Sequence, residues 1–240
     1  MTLIVALACR DGIVVASETQ ATVEASGTPV RETVTKIRKV NDSMLWAAAG
    51  TVSVIQQVER RLSAFPNEVR RLGIFDLVPQ VKQVVFEIRS EILGRYRALY
   101  GDDRGEQRAP ASELILVGFA NDSPTIIQIF PDGDYEECEP EVGYVALGIG
   151  DVFAHSILHG RNIREHSIEQ GILLAYKVIK DAIEVGAYGL GEPIDIWTVK
   201  PGNPNVSIEQ ISPSRMQAVA DAYIALKEAE GELIRPPESP

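Results

Sequence analysis

The chain has 240 residues, of which 45% are hydrophobic and 24% charged, and its formal net charge is -11. A single body of this length buries roughly 70% of its unfolded surface, and the composition excludes disorder, collagen-like sequence and low-complexity scaffolds. Residues 1–120 hold 15 Lys and Arg against 14 Asp and Glu (net +1) and residues 121–240 hold 8 against 20 (net -12), a balance that argues against binding a phosphate backbone.

Residues 2–9 and 12–18 are β-branched runs separated by Asp11-Gly12 and predict a tight hairpin. A polar, Gly/Pro-punctuated connection runs to Glu32. Residues 34–40 and 44–49 then predict a second hairpin over Asn41-Asp42-Ser43. Gly50 breaks the pattern, and Val52, Ile55, Val58 and Leu62 recur at helical spacing. Leu77, Val81, Val84, Val85, Ile88, Ile92, Tyr96 and Leu99 mark a longer helix. Residues 101–111 are charged and read as a loop. Strand character returns at 114–119, 125–130 and 144–147.

A second helical pair is expected at 151–158 and 167–185, followed by strands at 194–199 and 206–211. Ser212-Pro213 opens a last helix, with Ser at the N-cap, Pro at the first helical position, and Met216, Val219, Ala220, Tyr223 and Leu226 periodic behind them. The alternation of strand and helix pairs implies an α+β, four-layer αββα sandwich, two antiparallel sheets flanked by helices. One domain is expected over 1–211, an additional helix over 212–234 and a mobile tail over 235–240.

No apolar run approaches the roughly 20 residues of a membrane span, and no basic segment precedes the apolar start as in a secretory signal. Cys9 lies in an apolar run and Cys138 among acids, which fits a reducing, cytoplasmic setting better than a disulfide framework.

Three features compete for the chemistry. Asp151, His155 and His159 fall at i, i+4 and i+8, a spacing that can gather metal ligands, although a solvated helix face explains them too. Gly148-Ile149-Gly150 joins a strand to a helix but lacks the third glycine of a dinucleotide fingerprint and the Lys-Ser/Thr of a P-loop, so a tight turn is the better reading. The seven acids between residues 132 and 151 read as surface solvation. Thr2, directly behind Met1 at the start of a strand, becomes an N-terminal nucleophile when Met1 is removed. Its own α-amine, titrating near 8, then serves as the base.

Thr2, DGIVVASETQAT (residues 11–22) and TKIRKVNDSMLWAAAGT (residues 35–51), in this order and spacing, resemble the β-type subunits of the proteasome family, which are N-terminal nucleophile hydrolases. YVALGIGDVFAHSIL (residues 144–158) and PIDIW (residues 193–197) resemble the same family more loosely, so that the likeness runs from residue 2 to about 199 and is of a divergent, bacterial type.

The resemblance implies the Ntn-hydrolase fold and a threonine peptidase acting on peptides or unfolded protein. Thr2 matches the nucleophile, Lys36 the buried lysine, Glu18 its carboxylate partner and Gly50 the oxyanion donor. Ala21, Val34, Ala48 and Val52 match the lining of the primary specificity pocket, and small residues there admit a bulky apolar side chain. No metal or organic cofactor is implied. The family also implies a homo-oligomeric ring enclosing the sites, with an ATP-dependent unfoldase as a feeding partner and the last helix bracing a ring neighbour.

The sequence departs from the family at several points. Glu18 replaces Asp, and Ile149 replaces the serine of Gly-Ser-Gly. Gly186 or Ala187 stands where the family has another Asp, and Gly189 or Leu190 where it has a second serine. No propeptide precedes Met1, which leaves its removal to a general aminopeptidase. Two alternatives therefore stand beside the peptidase: a catalytically inactive ring or scaffold subunit, and a metal-binding protein using Asp151, His155 and His159. Under the family reading, most of the acidic charge is expected away from the nucleophile.

Overall fold

The computed structural model describes residues 2–25, 28–186, 189–202 and 206–233. Met1, Ala187 and the expected tail at 235–240 lie outside the described residues. Strands β1 (Ile4–Cys9) and β2 (Gly12–Glu18) form the first predicted hairpin, with Cys9 opposite Gly12 and Ile4 opposite Ser17. Both strands are buried along their whole length. Alternate side chains therefore serve two different cores.

The connection read as polar and irregular instead forms a hairpin, β3 (Gln20–Ala25) with β4 (Thr28–Thr33), pairing as a separate two-stranded sheet. Strands β5 (Ile37–Lys39) and β6 (Leu45–Gly50) make the next hairpin, and helix α1 (Val52–Ser63) follows. A short helix α2 (Asn67–Arg70) precedes α3 (Ile74–Tyr100). The segment expected as a loop contains α4 (Asp102–Arg108). It begins at Gly101, whose φ of 80° turns the chain back on α3, and Gly105 has no side chain to keep it from the backbone of Arg97.

Strands β7 (Ser112–Ala120), β8 (Ser123–Ile129), the short β9 (Tyr135–Glu137) and β10 (Tyr144–Leu147) come next, and then α5 (Asp151–Leu158) and α6 (Ile168–Glu184). Helix α6 opens on a capping box in which Ser167 and Gln170 satisfy each other's backbone N–H groups. Strands β11 (Ile194–Lys200) and β12 (Ser207–Gln210) precede α7 (Pro213–Leu233). Ser212 accepts from the Arg215 N–H at 3.3 Å, as an N-cap does.

The two five-stranded sheets run β10-β1-β2-β11-β12 and β5-β6-β7-β8-β9, antiparallel throughout. Ile4, Ala6, Ala8, Ile13 and Val15 of the first meet Leu45, Ala47, Ala49, Ile115 and Val117 of the second. On the outer face of the first sheet, Val5, Leu7, Val14 and Ala16 pack under α5 and α6. On the outer face of the second, Trp46, Ala48, Leu114 and Leu116 pack under α1 and α3. This is the four-layer αββα sandwich, the Ntn-hydrolase fold, and the start of β1 and the end of β6 come to the same edge of it.

Helix α7 sits on α6 of its own chain. Tyr223 is buried, packs edge-on against Tyr176 at 5.6 Å and donates to Asp181 Oδ1 at 2.6 Å. Ion pairs Lys177 to Glu230 (3.0 Å), Lys227 to Glu184 and Arg215 to Glu169 flank it. Tyr223→Ala is expected to cost about 3–5 kcal/mol in urea unfolding and Tyr223→Phe about 1 kcal/mol. A Tyr223→Ala protein as stable as wild type would mean that α7 is dispensable to the fold.

Candidate active site

Glu18 is the last residue of β2, in the first sheet, and Lys36 lies just before β5, in the second. They form an ion pair across the sandwich with side chains 0% and 7% exposed. Two charges leave water here, so the remaining lone pairs and protons need partners. Glu18 Oε1 also accepts from the Leu3 N–H (3.4 Å), Glu18 Oε2 accepts from the Gln20 N–H (2.8 Å), and Lys36 Nζ donates to the Gln20 carbonyl (2.8 Å). Burial pushes the Lys36 pKa below its ordinary value, and the Glu18 charge and hydrogen bond oppose that shift. One Glu18 carboxylate thus reaches the lysine and two backbone amides together.

A cavity of about 510 Å³ opens in front of the lysine. Thr2, Ala21, Val34, Lys36, Ala48, Gly50 and Val52 all line it, so seven of the eight site residues expected from sequence share one space. Glu18 stands behind Lys36, outside the lining. Arg38 and Glu59, paired at 2.8 Å, line the same cavity together with Gln56. Sequence reasoning missed these three. Glu59 follows Val52, Ile55 and Gln56 on one turn-to-turn face of α1, so helical spacing could have placed it.

Two glycines fix the geometry around Thr2. Gly50 has φ 131°, and a Cβ there would stand 2.4 Å from the Ala111 carbonyl oxygen. Gly148, with φ 95°, approaches so closely that a Cβ would lie 2.2 Å from Thr2 O and 3.2 Å from Thr2 Cβ. The Gly150 N–H donates to Thr2 O at 3.4 Å. The tight turn read in Gly148-Ile149-Gly150 is therefore also the wall against which Thr2 rests.

Thr2 and Gly50 line a second cavity of about 480 Å³ as well, on the side of Ile149, Glu113 and Asp151. Ile149, which the sequence reading sets against a serine, is thus beside Thr2 and offers no hydroxyl. Gly186 is exposed at the end of α6, and a Cβ there would meet nothing within 4 Å. Gly191 instead abuts the Gln20 side chain, and Leu190 packs against Gly150. Asp151 is one acid of the second half that does lie beside Thr2, because β10 ends next to β1 and α5 starts there.

Among the described residues, no group of three His, Cys, Asp or Glu side chains is arranged to hold a metal ion. Helix α5 ends at Leu158, so His159 leaves the helical face on which the i, i+4, i+8 reading rests, and His155 Nδ1 is 3.1 Å from the Tyr144 hydroxyl. Burial pushes the Cys9 and Cys138 thiols up to about 12 and about 11, so neither supplies a thiolate nucleophile near neutral pH. Among the described residues, no helix is long and apolar enough to cross a membrane.

A family model described as Proteasome subunit matches residues 2–199. The chain is 29% identical to proteasome subunit beta 2 of Pyrococcus furiosus over 184 residues, 76% of this chain and 80% of the relative. It is 25% identical to the proteasome subunit beta of Methanocella paludicola over 207 residues, covering 85% and 90% of the two chains. Among solved structures, Anbu from Hyphomicrobium sp. strain MC1 superposes with a TM-score of 0.72 at 16% identity, covering 99% of this chain and 100% of that one. The Pseudomonas aeruginosa Anbu complex, a helical assembly, gives 0.70 at 16% identity, with 98% of each chain covered.

The buried pair has a measurable signature. Lys36→Met leaves Glu18 charged and buried, and is expected to cost about 3–5 kcal/mol. Adding Glu18→Gln should recover most of that loss, because a neutral amide no longer needs a cation. If the double variant instead loses the sum of the two single costs, the residues are not energetically coupled.

Proposed function

The chain belongs to the proteasome subunit family, and on that premise we propose that it is a threonine peptidase whose nucleophile is Thr2 once Met1 has been removed. The observation that carries this reading is the meeting of Thr2, Lys36 and Gly50 in one cavity, with Glu18 buried behind the lysine.

In the proposed reaction the Thr2 hydroxyl attacks the scissile carbonyl while the Thr2 α-amine takes its proton. The backbone N–H of Gly50 stabilises the oxyanion, and the Lys36 ammonium lowers the pKa of the amine and of the hydroxyl. Collapse of the tetrahedral intermediate returns the proton to the leaving amine and leaves an ester on Thr2. Water, deprotonated by the same α-amine, then hydrolyses the ester and regenerates the threonine. Ala21, Val34, Ala48 and Val52 give the pocket for the acyl-side residue apolar walls. Arg38, Glu59 and Gln56 give it a polar floor, which suits a large side chain with a polar tip. The reaction uses no metal or organic cofactor, and its substrates are peptides or unfolded protein.

Copies of the chain assemble through a repeated head-to-tail contact. Such a contact gives a closed ring when its rotation closes and an open helix when it does not, and the helical assembly of the Pseudomonas aeruginosa relative supports self-association of one kind or the other. Within this reading the protein is cytoplasmic, and an ATP-dependent unfoldase is the partner that delivers folded substrates. The domain lies within 1–211, with α7 as an addition. The rival reading, an inactive assembly subunit, draws on Ile149, whose side chain reaches the space beside Thr2 without a hydroxyl.

Intact mass and covalent labelling separate the two. The purified protein is expected to lack one methionine residue, and an epoxyketone selective for N-terminal threonine should add once to wild type and fail to add to Thr2→Ala or Lys36→Ala. Complete retention of Met1, or an adduct that survives Thr2→Ala, would overturn the peptidase.

A further inference from the structure

We propose that the space on the far side of Thr2 from Lys36 is the leaving-group arm of the cleft, and that Glu113 and Asp151 select a cationic residue immediately after the scissile bond. This deepens the peptidase reading and rests on it.

Thr2 and Gly50 line both cavities, so a peptide whose carbonyl is held at Thr2 and whose acyl-side residue fills the first cavity leaves by the second. The two arms differ in charge. In the first, Lys36 is paired with Glu18 and Arg38 with Glu59, which leaves no net charge. In the second, the charged lining residues are Glu113 and Asp151. Among the described residues neither carboxylate is in an ion pair, and the hydrogen-bond partner that Glu113 has, the Gln128 amide at 3.4 Å, is neutral.

The carboxylates come from different layers. Glu113 on β7 sits opposite Ala49 on β6, one residue before Gly50, and is aligned with Ile115 and Val117, which face the other sheet. Asp151 opens α5 directly after the turn that supports Thr2. Both are partly exposed at the mouth, and both also line an adjoining cavity of about 290 Å³ that has no Lys or Arg in its lining. An alkylammonium or guanidinium group entering between β7 and α5 meets two half-solvated carboxylates, whereas an incoming carboxylate meets like charge.

The test uses quenched fluorescent peptides of one sequence that differ only in the residue after the scissile bond: Lys, Ala or Glu. Two partly exposed carboxylates should favour Lys over Glu by about tenfold in kcat/KM. The preference should shrink severalfold between 50 mM and 500 mM NaCl, and Glu113→Gln with Asp151→Asn, both near-isosteric changes, should bring it close to unity. Anisotropy of the same peptides on the Thr2→Ala protein reads the selectivity without turnover. Cleavage of no peptide would reject the peptidase, whereas equal binding of the Lys and Glu peptides to Thr2→Ala would reject the acidic arm. A preference for Lys that persists undiminished in the double variant would also reject it.

Discussion

The buried Glu18–Lys36 pair is the constraint around which the site is built. It joins the end of one sheet to the start of the other at the edge where Thr2 lies, and a charge pair this far from water is tolerated only with nearly complete hydrogen bonding. Those bonds come from the backbone. The Leu3 and Gln20 amides and the Gln20 carbonyl add three hydrogen bonds to the pair, so the conformations of β1's first residues and of the β2–β3 junction are tied to its formation. Replacing the pair with apolar side chains could leave the sandwich intact, because its cores lie elsewhere, but would remove the cation from beside Thr2. Under the peptidase reading the pair therefore belongs more to the chemistry than to the stability of the fold.

Thr2 is positioned by a second set of contacts that owes nothing to charge. β1 is flanked by β2 and β10, so its register is fixed from both sides, and a slip of one residue would exchange the side chains serving the two cores. The chain N-terminal to Ile4 inherits that register. Gly148 then closes in from β10 with no side chain, and the carbonyl of Thr2 is taken up by the Gly150 amide. A nucleophile carried at the free end of a chain would ordinarily lose orientation to fraying. Thr2 is held between the ion pair on one side and a glycine turn on the other, which under the proposed reaction is the pre-organisation that its hydroxyl needs.

The parts of the fold that depend on neighbours close in sequence were legible. The β1–β2 hairpin over Asp11-Gly12, the strand at Tyr144–Leu147, the helix Asp151–Leu158 and the cap of α7 follow from turn chemistry, β-branched runs and capping residues. The β3–β4 hairpin was not legible, because its polar residues carry no two-sided apolar alternation. Nor was α4, whose Asp-rich start and glycines resemble a loop until Gly105 is seen against α3. At the site, Thr2, Lys36 and Gly50 stood out through their motif. Arg38 and Glu59 did not, since their pairing joins β5 to α1 across the cavity. The approach of Gly148 to Thr2 joins residues 146 positions apart, which no local pattern encodes.

The uneven charge acquires a specific consequence from this geometry. Composition assigns the net negative charge to the second half. Asp151, from that half, lies beside Thr2 because the antiparallel pairing of β10 with β1 places the start of α5 next to the chain's first residues. Glu113, from the near-neutral half, meets it from the opposing sheet. A field set by two carboxylates on one side of Thr2 and by neutralised pairs on the other points along the cleft. In the proposed reaction a peptide carbonyl held at Thr2 feels a gradient that opposes negative charge on the departing side and favours positive charge there. Within that proposal substrate orientation and leaving-group departure draw on the same two carboxylates, of which Asp151 joins the acidic half of the sequence to chemistry centred on the neutral half.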